Sequence, residues 1–352
     1  MPEHQPAAAN VRADCLAALG SDAGRFAPLA GQRILVTGGT GFVGTWLAWL
    51  VSVLNDDFGL GIELQLLSPH AREFAERVPE LAGRPDIETI ERDVRDLGVL
   101  ASDVGYVIHA AGSPDSRVHA SDPLRTLSII ADGARAVLEA VSEQPDIRSV
   151  LMVSSGLVYG NQPLDLERIS ESHRGGPEWN TIAAVYAESK RYAETVSAAY
   201  VSQYKLPVVT ARPFAFIGPY QLLDKPWAVN NFLRDAIHGG PVRILGSADT
   251  VRSYMYPSDM AVWLLAILTD GVPGTAYNVG SPDGVTLRQL ADAIVSRFET
   301  PPDIVCRPVG DQKPSRFVPD VARAQGLGLE LTVGLDEALA RSISWHAART
   351  GA

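Results

Sequence analysis

From Gly31 onward, short apolar runs alternate with stretches long enough for helices, and this rhythm limits the fold more than any other feature of the chain. Strands are predicted at Arg33–Thr37, Glu63–Leu67, Ile87–Glu91, Val104–Ala110, Ser149–Ser154 and Pro207–Ala211. Strands separated by helices imply βαβ units, whose parallel sheet must be covered on both faces. Two helices read clearly. Leu127, Ile130, Ala134, Val137, Leu138 and Val141 recur at helical spacing after Asp122-Pro123, a pair suited to an N-cap and first turn. The second runs from Ala184 to Tyr204 and stops at Leu206-Pro207. The fold class expected is α/β, a doubly wound parallel sheet carrying a smaller α/β lobe.

The first strand runs into Thr37-Gly38-Gly39-Thr40-Gly41-Phe42-Val43-Gly44, with glycines spaced Gly38-x-x-Gly41-x-x-Gly44. The first glycine permits a tight turn, the second lets backbone approach a pyrophosphate, and the third lets helix and strand pack closely. The anion would sit at the helix N-terminus, where free N–H groups and the dipole favour negative charge. Glycines also occur in any tight strand-to-helix loop. Here they follow the first strand and open the amphipathic segment Thr45–Leu54, which points to a dinucleotide-binding Rossmann domain. This turn resembles that of the extended short-chain dehydrogenase/reductases, the NAD-dependent epimerase/dehydratase family that modifies nucleotide sugars. The resemblance implies cofactor contacts at Gly38, Thr40, Gly41, Phe42, Val43 and Gly44. After the third strand, Asp93 and Val94 fit the family's adenine contact. After the fourth, Ala110, Ala111 and Gly112 fit the small-residue loop along which the cofactor lies, and Pro213 is a further contact. An acid ending the second strand would select NAD, and a nearby Arg would favour the 2′-phosphate of NADP. That strand ends in Ser68 with Arg72 close by, which leans to NADP and leaves the choice between NAD and NADP open.

Tyr186 and Lys190 stand four residues apart on the second helix, hence on one face. An ammonium near a phenol favours the phenolate, so Lys190 is expected to lower the Tyr186 pKa. Tyr186 would then exchange a proton with a sugar hydroxyl. Tyr-x-x-x-Lys is common by chance; its specificity comes from following Ser154-Ser155-Gly156-Leu157-Val158-Tyr159-Gly160 at the end of the fifth strand. Aligned on Val-Tyr-Gly, the resemblance makes Ser155 the residue that polarises the reacting oxygen, and has Lys190 also bond the nicotinamide ribose. The catalytic group expected is Ser155, Tyr186 and Lys190.

The resemblance extends to about Trp345. Arg212-Pro213-Phe214-Ala215-Phe216-Ile217-Gly218-Pro219-Tyr220 matches the block that opens the family's substrate lobe. A second block, Val251–Ala261, also matches, and the resemblance implies contacts to a nucleotide diphosphate from its Arg252 and from Asn231, with Arg307 a weaker candidate because its spacing to Gly310-Asp311 aligns two ways. The expected division is an N-terminal extension over residues 1–30, a dinucleotide-binding domain over 31–215 with a return near 275–280, and a substrate lobe mainly over 216–345.

Departures narrow the reaction. The resembling 4,6-dehydratases carry Asp-Glu where this chain has Gly156-Leu157, and the nucleotide-sugar decarboxylases use a Glu at the second position. Neither Gly nor Leu is an acid or base, so both designs are disfavoured, whereas the 4-epimerases accept small or apolar residues there. Ala215 replaces an Asn of many relatives. The reading is an NAD(P)-dependent epimerase acting by transient oxidation, at C4, of a nucleotide-diphosphate hexose. The alternatives are an NADPH-dependent 4-keto-sugar reductase, a dehydratase using other acids, and a non-catalytic cofactor-binding module.

Composition fits this picture. At ~150 residues per domain, 352 residues suggest two domains or one large one. The balance of 46% hydrophobic and 20% charged residues is that of a globular chain. A net charge of -11 argues against nucleic-acid binding and supplies no attraction to an anionic membrane. Two cysteines, Cys15 and Cys306, form neither a disulfide framework nor a metal cluster, so no metal is expected. The opening residues lack a secretion-signal pattern and the apolar runs are too short to span a bilayer, so a cytoplasmic location is expected. Lys occurs only four times, and one is Lys190. The helix beginning at Asp122 is apolar nearly all round, which predicts a homodimer built on it and on the Ala184–Tyr204 helix.

Overall fold

A computed structural model describes residues 7–20, 22–307 and 313–350. Seven parallel strands form the main sheet: β1 (Arg33–Thr37), β2 (Glu63–Ser68), β3 (Ile87–Glu91), β4 (Val104–His109), β5 (Ser149–Val153), β6 (Val208–Pro213) and, after two short strands β7 (Val242–Ile244) and β8 (Val251–Arg252), β9 (Ala276–Val279). The spatial order is β3-β2-β1-β4-β5-β6-β9. The order reverses between β1 and β4, which opens a crevice at their carboxyl ends, the place where doubly wound sheets bind ligands. Each predicted strand is present, within two residues at either end.

Twelve helices accompany the sheet among the described residues: α1 (Ala7–Leu19), α2 (Phe42–Phe58), α3 (Ala71–Arg77), α4 (Pro79–Ala82), α5 (Ser116–Ser121), α6 (Pro123–Ser142), α7 (Ala184–Tyr204), α8 (Ala228–Ile237), α9 (Pro257–Asp270), α10 (Leu287–Val295), α11 (Ala322–Gln325) and α12 (Leu335–Thr350). Helix α6 starts where predicted, the Asp122 carboxylate accepting from the Arg125 N–H and Pro123 occupying the first turn. Helix α7 ends at Lys205 in the left-handed conformation, just before Pro207. Helices α1, α2 and α9 cover one face of the sheet, and α6 and α7 cover the other. Helix α2 is buried from Gly44 to Leu54, and the Trp46 indole N–H donates to the Pro219 carbonyl of the lobe. The smaller lobe contains α8, α10 and the short strands β7, β8, β10 (Val285–Thr286), β11 (Ile304–Cys306) and β12 (Arg316–Phe317). Helix α9, although it follows lobe residues in sequence, packs on β5, β6 and β9 of the main sheet.

The segment expected to precede the fold instead enters it. Val11, Cys15, Phe26 and Leu29 are fully buried, with α1 against α2 and α9. Asp14 of α1 accepts from the Tyr256 hydroxyl at 2.5 Å and from Arg341 at 2.5 Å, joining α1 to the start of α9 and to α12. Weak amphipathic patterning in an Ala-rich stretch hides such burial, because alanine marks neither face. No helix among the described residues is long and apolar enough to cross a membrane.

Candidate functional site

The glycine turn sits at the β1–β4 crevice. Gly38 has a φ of 68°, and a Cβ there would lie 2.8 Å from the Ala110 carbonyl oxygen and the Ala111 Cα. Gly44 is the tightest position, where a Cβ would meet the Gly39 oxygen at 2.0 Å. Gly41 is the extended N-cap of α2 and supplies no side-chain cap to the first-turn N–H groups. A glycine cradle leading to an uncapped helix N-terminus fits a dinucleotide pyrophosphate. Beside it, the Thr40 hydroxyl donates to Ser68 Oγ at 2.7 Å, and Ser68 Oγ accepts from the His70 N–H. The half-buried Arg77 donates to the Thr40 carbonyl and braces the turn, a role the sequence did not reveal. Arg72 is largely exposed and paired with Glu91 at 3.1 Å. Asp93 is bound by Arg95 through its side chain and backbone N–H, which holds the carboxylate down at about 2. Val94 is buried against α6.

Lys190, Tyr186 and Ser155 converge at the carboxyl ends of β4 and β5. Ser155 caps the short turn Gly156–Tyr159, its Oγ accepting from the Leu157 N–H. Lys190 is 3% exposed, donates to the Val153 carbonyl at 2.7 Å, and lies 5.9 Å from the centre of the Tyr186 ring. A Cβ on Gly112 would stand 3.8 Å from its Nζ, so the loop after β4 closes on the same point. Burial pushes Tyr186 up to about 12, and only the nearby Ser155 side chain opposes it. Burial thus outweighs the positive charge of Lys190, and the expected lowering of the phenol is not met. The Lys190 ammonium donates to the Val153 carbonyl, and its own pKa is lowered to about 8 by burial, while Glu194 one turn along α7 pulls it up.

Several neighbours were not legible in the sequence. Glu194 forms a two-pronged pair with Arg212 (2.5 and 2.9 Å) and accepts from Ser154 Oγ at 2.5 Å. Arg212 also donates to the Tyr159 hydroxyl, which donates to Asn278 of β9. This network ties α7 to the ends of β5, β6 and β9, the strands that present the site. The His119 ring stacks on Tyr186, centroids 4.6 Å apart and planes within 10°. Asp115, capping α5, is reached from the lobe by Lys225 at 3.3 Å.

The three substrate candidates occupy separate lobe elements, and no hydrogen bond or ion pair joins them among the described residues. Asn231 on α8 accepts from Arg234 at 3.0 Å. Arg252 on β8 donates to the carbonyls of Val251 and Ser315 and to Ser315 Oγ. Arg307 is exposed at the end of β11, its N–H bonded to the Ile244 carbonyl; Gly310-Asp311, used to align it, lies outside the described residues. Pro213 ends β6 beside Val279. At Gly156 a Cβ would lie 2.8 Å from the Phe214 ring and 2.9 Å from the Phe317 ring, while Leu157 is half exposed. No cluster of three metal-ligating side chains occurs among the described residues.

The model of the NAD dependent epimerase/dehydratase family matches residues 34–280. Over 315 residues the chain is 28% identical to UDP-glucuronic acid decarboxylase 1 of Danio rerio, covering 89% of this chain and 72% of that protein. Its fold resembles that of the epimerase Mth375 from Methanothermobacter thermautotrophicus, with a TM-score of 0.80, 24% identity, and coverage of 95% of this chain and 97% of that one. The UDP-glucuronic acid 4-epimerase of Bacillus cereus, solved with UDP-glucuronic acid and NAD, gives a TM-score of 0.75 at 20% identity, covering 91% of this chain and 100% of that one.

Proposed function

The chain belongs to the NAD dependent epimerase/dehydratase family, and from that premise we propose that it is a nucleotide-sugar epimerase working by transient oxidation at C4 of a nucleotide-diphosphate hexose. It is an enzyme of an NAD-dependent family whose relatives include nucleotide-sugar decarboxylases and epimerases. The observation that carries the finer reading is the pair Gly156-Leu157. Phe214 and Phe317 fill the volume that a side chain at 156 would need, and 157 carries no ionisable group. With neither position able to move a proton, chemistry concentrates on the carbinol carbon served by Tyr186.

In this reading the bound nicotinamide cofactor supplies a hydride acceptor and later a hydride donor. Tyr186, which burial keeps protonated in the protein alone, would act as the phenolate, a form that the positive charges of Lys190 and of an oxidised nicotinamide favour; it would take the proton from the sugar hydroxyl as the carbonyl forms and return it when the ketone is reduced on its other face. Ser155 donates a hydrogen bond to the reacting oxygen, and Lys190 supplies positive charge beside the phenol. Cofactor is held by the turn Gly38–Gly44 with Ser68, Arg72, Asp93, Val94, Ala110, Ala111, Gly112 and Pro213. Asn231, Arg252 and Arg307 are assigned to the diphosphate, Arg252 after release from its carbonyl partners. A bidentate guanidinium suits a phosphate despite the net negative charge of the chain. A reductase using NADPH is the second reading, favoured by Ser68 standing where an acid would select NAD. Leu124 and Leu127 on α6 are 79% and 45% exposed, which supports a homodimer through α6 and α7.

The test is to release and identify the cofactor of purified protein and then supply a panel of nucleotide sugars. The epimerase reading expects bound oxidised cofactor and an epimeric product without net change in NAD(P)H. Stoichiometric NADPH consumption on a 4-keto sugar refutes it in favour of the reductase. A light-scattering mass of one chain refutes the dimer.

A further inference from the structure

We propose that His119 is a specificity-determining residue, a hydrogen-bond acceptor for a sugar hydroxyl beside the carbon that Tyr186 serves; this rests on the nucleotide-sugar reading above. His119 is 6% exposed and lies flat against the Tyr186 ring at 4.6 Å. Its Nε2 is 2.6 Å from the Ser113 carbonyl oxygen. A carbonyl can only accept, so Nε2 carries a proton and Nδ1 is the ring nitrogen left to accept a hydrogen bond. Among the described residues Nδ1 has no hydrogen-bond partner.

The short helix carrying His119 is held from both lobes. Asp115 caps it through the Arg117 N–H at 3.0 Å, and the same carboxylate receives Lys225 from the loop before α8. Arg117 and Asp224 add a second contact between these segments at 3.7 Å. The helix that carries the imidazole is therefore tied to the lobe while its ring lies on Tyr186 of the cofactor domain. A sugar presents a hydroxyl on the carbon next to the one oxidised, and a lone pair fixed beside the phenol is a partner for it. Gly156 and Leu157 offer no side-chain acceptor in its place.

The proposal is tested by calorimetric titration of UDP-glucose, UDP-N-acetylglucosamine, UDP-glucuronic acid and plain UDP into NAD-loaded wild type, His119→Phe and His119→Asn. Phe keeps a ring against Tyr186 and removes the acceptor; Asn places Oδ1 near the position of Nδ1. His119→Phe is expected to bind NAD and UDP as the wild type does and the preferred nucleotide sugar about tenfold more weakly, with His119→Asn recovering most of the loss. Wild-type sugar affinity in His119→Phe overturns the proposal. So does an equal loss for UDP and nucleotide sugar, or for both variants, since that marks a packing role. If the wild type binds UDP but gains nothing from any sugar, or binds none of the four, the nucleotide-sugar reading itself falls and takes the proposal with it.

Discussion

Acid should destabilise this protein through one histidine in a measurable way. His109 ends β4, is 2% exposed, and shares a hydrogen bond of 2.7 Å between Nδ1 and Thr37 Oγ1. Its Nε2 has no partner, and Lys190 adds positive charge nearby. Burial, then Lys190, holds its pKa at about 3 against 6.5 for a free imidazole. Between those values the unfolded chain binds a proton that the folded chain does not, so stability rises with pH across the window and is lost as pH falls from 6.5 towards 3. The slope approaches 1.36 kcal/mol per pH unit, or about 2.7 kcal/mol over two units. His109→Asn keeps a polar atom for Thr37 and removes the titration. Urea unfolding of both proteins at pH 6.5, 5.5 and 4.5 isolates the effect, because the carboxylates common to both cancel in the difference. The wild-type advantage over His109→Asn should shrink by about 2–3 kcal/mol between the first and last pH. Parallel stability curves would refute the argument and show that the imidazole finds a way to charge inside the fold.

Three further perturbations follow from the geometry. Gly44→Ala puts a carbon 2.0 Å from a backbone oxygen, so the turn must open; NAD affinity measured by fluorescence quenching should fall at least tenfold, and an unchanged affinity counts against the cradle. Glu194→Gln leaves the mostly buried Arg212 guanidinium without its anion, which should cost about 2–4 kcal/mol in denaturant unfolding. The same change removes the influence that raises Lys190, so its titration, followed by NMR, should move below about 8. Gly156→Ala drives a methyl into the Phe214 and Phe317 rings and should cost about 1–3 kcal/mol; a neutral effect would mean that these rings leave room for a side chain after all.

Much of this protein was legible from local pattern. Strands buried on both faces read as continuous apolar runs, and Asp122-Pro123 and Leu206-Pro207 punctuate helices through dihedral and capping preferences that act within a few residues. Gly38 and Gly44 are required by steric contacts inside one strand–turn–helix unit, so their spacing carries the message without the rest of the fold. The Tyr186–Lys190 register is likewise a property of one helix.

What the tertiary structure alone decided is how groups distant in sequence set one another's chemistry. Lys190 follows Tyr186 by four residues, yet its ammonium lies against the Val153 carbonyl, and burial by surrounding elements raises the phenol. His119 comes to Tyr186 from 67 positions earlier in the chain. Lys225 reaches Asp115 across 110 residues. Asp14 lies in the segment read as preceding the fold and meets Arg341 across 327 residues. Periodicity reports which face of an element is apolar. It does not report which polar group from elsewhere will be buried against that face, and desolvation and hydrogen bonding at those meetings determine the charges on which the site depends.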